Sequence, residues 1–223
     1  MIIVTGAAGI LGSALVRRLA DDGTSVIAVD LAQTIPDSGQ VFSLGGVDLT
    51  DADAVSAAFQ QIDPDAGLRG LANIAGGFVW QTLEDGAAAT WETMYRLNVQ
   101  TAVNACKAAL PRLRQAGQGA IVNVAAAATL KAGAGMGAYT ASKSGVMRLT
   151  ESLAAEEIPH GVRVNAVMPS IIDTPQNRAD MPDADFGSWV TPEELAGVIA
   201  FLLCADASAV TGACVPVTGR VAW

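Results

Sequence analysis

The segment VTGAAGILGSAL, residues 4–15, sets Gly6, Gly9 and Gly12 three apart, after the apolar run IIV and ahead of a helical pattern. A strand that turns this tightly into a helix favours glycine, which takes φ > 0 at no steric cost and lets a ligand approach the backbone. The N–H groups left uncovered lie at the positive end of the helix, where a phosphate is stabilised. A glycine triplet alone fits a simple tight turn equally well, so the residues that follow decide. The next apolar run, SVIAVD, ends in Asp30, a carboxylate placed to accept hydrogen bonds from a ribose and to repel a 2′-phosphate. A strand-end Asp is by itself often a turn former. With Gly6, Gly9 and Gly12, and with Ile10 and Leu11 between them, it points to a dinucleotide site. The residues after it, LAQT, supply no cation for a 2′-phosphate, which favours NAD(H) over NADP(H).

Short β-rich runs then alternate with longer helical stretches, the pattern of parallel strands joined by crossover helices. Strands are expected at 2–6, 25–30, 41–49, 68–76, 119–125, 162–169 and 213–219, and helices at 11–22, 51–62, 90–116, 139–157 and 192–204. This predicts an α/β fold of the Rossmann type: one doubly wound, seven-stranded parallel sheet with helices on both faces. A chain of 223 residues with no linker or repeat is expected to form one domain over 1–223. The stretch 171–189 has neither period and is long for a connection, which marks it as a functional loop or lid.

Composition narrows the partners. Hydrophobic residues make up 51% and charged ones 16%, so a large core is available. A net charge of −9 and a pI near 4.4 repel nucleic acid and anionic lipid. The amino terminus has no basic region ahead of its apolar residues, and no apolar run approaches the roughly 18 residues of a membrane span. A soluble, cytoplasmic protein is expected. Cys106, Cys204 and Cys214 show no C-x-x-C spacing and are expected to be buried, reduced thiols. One histidine, His160, cannot assemble a multi-histidine metal site or a His-based triad, so no metal is expected.

Tyr139 and Lys143 are four apart at the start of a helical stretch, so both can share one face. A phenol is a poor acid or base at neutral pH, and a neighbouring ammonium is expected to lower its pKa. Such a phenol could protonate the anion that develops as hydride reaches carbon. An isolated Y-x-x-x-K is usually a solvated surface pair; here it follows the dinucleotide turn.

TGAAGILG, VDLT, NIAG, LNVQ, IVNV, YTASK and MPSIIDT occur in an order and at spacings that resemble the short-chain dehydrogenase/reductase family across essentially the whole chain. The resemblance implies that the glycine turn holds the coenzyme pyrophosphate, that Asp48 meets the adenine, and that Asn73, Ala75 and Gly76 line the adenosine ribose. It implies that Asn98 kinks its helix and holds a water in a proton relay. Tyr139 would be the catalytic acid/base, and Lys143 would hold the nicotinamide ribose. The segment Pro169 to Thr174 would contact the nicotinamide carboxamide, Ile172 through its backbone and Thr174 through its hydroxyl. A homodimer or homotetramer is also implied, since family members usually pair the helices at 90–116 and after Tyr139.

Two departures matter. Most members place a serine thirteen residues before the tyrosine to bond the substrate oxygen; here that position is Ala126, flanked by Ala125, Ala127 and Ala128. The commoner G-x-x-x-G-x-G spacing is replaced by G-x-x-G-x-x-G. Both departures, and the stretch DTPQNRADMPDADFGSW, resemble the dihydropteridine reductase branch. Losing an oxyanion donor typically costs about 10²–10³ in rate, which suits an electron-poor substrate that needs less help. The expected function is NADH-dependent reduction of an activated heterocycle, imine or carbonyl. The alternatives are a general alcohol dehydrogenase or carbonyl reductase using a water, Thr129 or a backbone N–H in place of the serine, and a noncatalytic NAD(H)-binding protein. Trp80, Met136 and Trp189, with Ala126, are the candidate substrate contacts, since aromatic rings could stack on a flat molecule; Phe78 reads as core packing.

Overall fold

The computed structural model describes residues 1–33, 39–63 and 65–221. The elements follow in the order β1 (Ile2–Thr5), α1 (Ile10–Asp21), β2 (Val26–Val29), β3 (Val41–Leu44), α2 (Ala52–Gln60), β4 (Gly70–Asn73) and α3 (Ala89–Tyr95). A π-helical turn, Arg96–Gln100, leads to α4 (Thr101–Ala116), β5 (Ala120–Val124), α5 (Gly137–Glu157), β6 (Arg163–Pro169), α6 (Pro175–Asp180), α7 (Pro192–Leu203) and β7 (Cys214–Val217). The strands form one seven-stranded sheet in the order β3-β2-β1-β4-β5-β6-β7, every neighbouring pair parallel. The expected doubly wound sheet is what the chain forms.

Side chains alternate across the sheet, so consecutive residues feed opposite cores. On β1, Ile3 packs toward Phe59, Ala105 and Leu113 of α2 and α4, and Val4 packs toward Leu15, Leu195 and Ile199 of α1 and α7. Both strand faces are therefore covered, which is why the strands read as unbroken apolar runs. The order in which the chain adds strands reverses between β1 and β4, and this leaves a crevice beyond the carboxyl ends of the strands, where such sheets bind ligands.

Element lengths differ from expectation at informative places. The strand expected at 41–49 stops at Leu44, because Gly45 and Gly46 turn the chain and return the Val47 N–H to the Asp30 carbonyl at 3.0 Å. The helix expected at 90–116 is three pieces, broken by the π turn around Asn98. The connection 171–189 is structured: α6 starts on Pro175 under a Thr174 cap, a single 3-10 turn spans Phe186–Ser188, and Ile172 bridges to Val190. Of the cysteines, only Cys106 is buried as expected; Cys214 is half-buried and Cys204 exposed. No helix among the described residues is long and apolar enough to cross a membrane.

One buried ion pair ties the far ends of α4 and α5 together. Arg114 donates from Nε to Glu157 Oε2 at 2.9 Å and from Nη2 to Oε1, while the Glu157 side chain has no solvent exposure. Those bonds, with the guanidinium charge, hold the Glu157 carboxyl below the usual range.

Candidate active site

The crevice is a cleft of about 1750 Å³ lined from the glycine turn at one end to residues of α6 at the other. That exceeds the ~300–1,000 Å³ of a site for one small ligand, and leaves room for a dinucleotide and a second molecule.

At the first end, the wall is backbone. Gly6 has φ 66°, and a Cβ on it would lie 2.7 Å from Ala75 N, so β1 and the loop after β4 meet with no side chain between them. A Cβ on Gly12 would overlap the Gly6 carbonyl. Gly9 is the N-cap of α1 and caps it with no side chain, which leaves the first-turn N–H groups of the helix to whatever fills the cleft. Ile10 and Leu11 line the wall beside it. This cradle fits a pyrophosphate.

Asp30 extends the cradle. Its Oδ2 accepts from Ala8 N and its Oδ1 from Ala32 N, both at 2.9 Å, so the carboxylate braces the glycine turn from β2 while remaining on the cleft wall. Thr34, the last residue of the LAQT stretch, lies outside the described residues. Asp48 also lines the cleft; its Oδ1 accepts from Thr50 N and Oγ1, which, with help from Arg96, lowers its pKa. Ala75 and Gly76 are on the wall. Asn73 is not. Strand alternation turns it toward α4, where it donates to Asn123 Oδ1 at 2.8 Å and to Cys106 Sγ, and burial pushes that thiol up to about 12.

At mid-cleft, Tyr139 and Lys143 emerge from the first turns of α5 against the end of β5. Lys143 Nζ donates to Val124 O at 2.8 Å and lies 6.0 Å from the Tyr139 ring centroid. Burial brings the Lys143 pKa down to about 8 and pushes Tyr139 up to about 12. The expected lowering of the phenol by its neighbour is not what the cleft produces: burial sets the direction of the shift, and it is upward. Tyr139 lines the cleft, and its hydroxyl makes no hydrogen bond to another described residue.

Asn98 stands behind this pair. Its Oδ1 accepts from Gly77 N, and its Nδ2 donates to Gly77 O and Ser142 Oγ, each at 3.0 Å. The expected helix irregularity is present as the π turn. Through these bonds the carboxamide ties the loop after β4 to α5.

At the far end, Ala126 lines the cleft and offers no donor. Thr129 does not replace the serine, since its hydroxyl turns back to Ala126 O at 2.7 Å and rests on Met147 Sδ. Met136 is on the wall. Trp80, 59% exposed, lies over the loop before α5, donating from Nε1 to Ala134 O at 3.0 Å; a side chain on Gly135 would overlap its indole. Pro169 and Ile172 line the cleft, and Thr174 does not, because its hydroxyl caps α6.

A family model described as short chain dehydrogenase matches residues 1–185. The chain belongs to that family. It is accordingly an oxidoreductase of a family that uses a nicotinamide coenzyme. Among its relatives, cis-4-hydroxycyclohexanecarboxylate dehydrogenase of Sinomonas cyclohexanicum is 35% identical, over 97% of this chain and 94% of that one. The 4-formylbenzenesulfonate dehydrogenase TsaC1/TsaC2 of Comamonas testosteroni is 33% identical, over 97% and 95%. The aldohexose dehydrogenase of Thermoplasma acidophilum superposes with a TM-score of 0.88 at 28% identity, covering 98% of this chain and 92% of that one.

Two aromatic expectations change places in this short-chain dehydrogenase. Trp189 is 3% exposed and absent from the cleft wall, because it packs with Phe186 (centroids 4.9 Å apart) beneath the α6 segment. Phe78, read from sequence as core, is 54% exposed on the cleft wall, its ring edge-on to Tyr139 with centroids 4.9 Å apart. Its place immediately after Gly76-Gly77 was the available signal: a chain leaving the sheet there runs along the cleft. His160 ends an exposed 3-10 turn and is not on the cleft wall.

Proposed function

We propose that this short-chain dehydrogenase transfers hydride between NAD(H) and the carbonyl or alcohol carbon of a small, activated substrate, with Tyr139 as its acid/base. The observation that carries this is that Tyr139 and Ala126 line the same cleft, the Tyr139 hydroxyl making no hydrogen bond to another described residue and Ala126 bringing no side-chain donor at the serine position. Substrates whose carbonyl or C=N is already electron-poor have least need of that donor.

The cradle fits the coenzyme, whose nicotinamide supplies or accepts the hydride when bound. The first-turn N–H groups of α1 at Ile10 and Leu11 would hold its pyrophosphate. Asp30 would take the adenosine ribose and disfavour a 2′-phosphate, Asp48 would lie against the adenine, and Ala75 and Gly76 would line the ribose side. Lys143 would hold the second ribose, with Pro169 and Ile172 at the carboxamide. Tyr139 keeps its proton at neutral pH, so it is set to protonate an oxygen or nitrogen anion as it forms; the reverse direction needs its ionised form.

The compounds after which two relatives are named, 4-formylbenzenesulfonate and cis-4-hydroxycyclohexanecarboxylate, are an aldehyde and a secondary alcohol, which supports a carbonyl or alcohol substrate. A quinonoid dihydropterin is the second reading, favoured by Ala126, by the glycine spacing and by the 173–189 segment. Steady-state rates with NADH and NADPH against aromatic aldehydes, simple ketones, imines and a quinonoid dihydropterin test both. Faster turnover of unactivated ketones than of any activated substrate would overturn the proposal, and a strong NADPH preference would overturn the role of Asp30. A homodimer or homotetramer is part of this proposal. Exposed Trp91 and Tyr95 on α3, beside α5, support a second copy there, and light scattering on the purified chain reads it.

A further inference from the structure

The cleft wall carries several side chains that can donate a hydrogen bond, and most are satisfied within the protein. Trp80 donates to Ala134 O, Thr101 to Leu97 O, Lys143 to Val124 O, Ser170 to Thr218 O, Asn177 to Ile172 O and Thr50 to Asp48. Two remain without a hydrogen-bond or ion-pair partner among the described residues: Tyr139, already assigned to the reacting centre, and Lys131. Lys131 sits on the loop between β5 and α5, between apolar Leu130 and Met136 and on the same cleft as Phe78 and Trp80. The substrate end is thus an apolar wall with one uncommitted cation.

The remaining charges on the wall sharpen this. Asp30 and Asp48 belong to the coenzyme end, Lys143 is bound to Val124 O, and Asp180 on α6 accepts from Gln176 Nε2 without pairing to Lys131. In a protein of net charge −9, Lys131 is the one cationic side chain at the substrate end of the cleft among the described residues, since the α1 N-terminus and Lys143 serve the coenzyme in the function proposed above. We propose that Lys131 anchors an anionic group (carboxylate, sulfonate or phosphate) carried by the substrate apart from its reacting carbon. This rests on the reading of Tyr139 as the acid at the same end of the cleft. Lys131 is then a specificity-determining residue, and the preferred substrates are activated carbonyl compounds, or the matching alcohols, that bear a negative charge.

The test compares 4-carboxybenzaldehyde with its neutral methyl ester, methyl 4-formylbenzoate, using NADH. Wild type is expected to show a KM for the acid below that for the ester. Lys131→Gln is expected to raise the KM for the acid about tenfold, the scale of one charge-assisted hydrogen bond, with kcat and the ester unchanged. Lys131→Arg should restore most of the difference, and Asp180→Asn should lower the KM for the acid. A KM for the acid that Lys131→Gln leaves alone, or a rise shared equally by acid and ester, overturns the proposal. Binding separates it from the catalytic reading. Terephthalate and dimethyl terephthalate, which carry no aldehyde, are titrated with coenzyme present and read by tryptophan fluorescence. Loss of the terephthalate preference in Lys131→Gln but not in Tyr139→Phe supports the anchor whatever the turnover. No preference for terephthalate in wild type sinks it.

Discussion

The two ends of the cleft are built from different materials. The coenzyme end is backbone: Gly6 and Gly12 are set where a Cβ would collide with main chain, and Asp30 bonds to main-chain N–H groups. The substrate end is side chains on three separate loops, held by contacts such as Trp80 on Ala134 O, Phe78 on Tyr139, and Arg178 on Asp173. Backbone geometry forces residue identity, whereas side-chain packing permits exchange. The first end should therefore break on any added atom, and the second should shift specificity while still working.

The sharpest break comes at the junction of the two. Tyr139→Phe is expected to lower kcat by roughly 10²–10⁴, the usual share of a positioned acid or base, while the Kd for NADH, read by fluorescence, stays near wild type. On the coenzyme side, Gly12→Ala forces the Gly6 carbonyl aside and should weaken NADH binding about 10–100-fold, the scale of ~1–3 kcal/mol of overpacking. An unchanged Kd there would erase the contrast between the ends. On the substrate side, Arg178→Ala removes a two-pronged bond to Asp173, with both contacts at 2.6 Å, and a stacking contact on Phe186 that fasten α6. It should raise the KM for substrate several-fold and leave the Kd for NADH alone.

Protonation offers a subtler probe of the junction. The Lys143 pKa lies below its unfolded value, at about 8. Below pH 8 folded and unfolded chains both hold the proton, and the cost of burying the ammonium is carried in full. Between about 8 and 10.5 the folded chain releases it first, so the coenzyme-free protein gains stability as pH rises through that window. Denaturant unfolding should show this gain in wild type and not in Lys143→Met, on the order of 3 kcal/mol. Away from both ends, Arg114→Ala leaves the buried Glu157 without its partner and should cost roughly 1–3 kcal/mol near neutral pH. Because the Glu157 pKa is depressed, the contribution of the pair is present above the unfolded carboxyl range and fades as pH falls through the folded value; the difference between wild type and variant should narrow in acid.

Legibility in the sequence follows the same division. Seven parallel strands in one doubly wound sheet were readable, since such a sheet repeats one apolar period and the glycine turn marks where it starts. Tyr139, Lys143, Asp30 and the glycines are on the cleft as expected, because each is fixed by position in a strand end or helix start. Trp189, Thr174 and Asn73 are not, for separate physical reasons: burial under the α6 segment, capping of α6, and the two-residue alternation of β4. Phe78 was missed because a phenylalanine after a strand looks apolar and therefore buried, and only the path of the chain past Gly77 exposes it. The ionisation of Tyr139 could not be read from its neighbour Lys143, because burial depends on the whole cleft.

Asp30 has a second duty that bears on any attempt to re-engineer coenzyme choice. Its carboxylate staples Ala8 and Ala32, as well as taking the adenosine ribose in the function proposed above. Replacing it with a small neutral residue to admit NADP(H) would release the glycine turn at the same time. Introducing a cation at neighbouring Leu31, which is 65% exposed on the same wall, alters the electrostatics while keeping the staple, and is the better first step toward a switched enzyme.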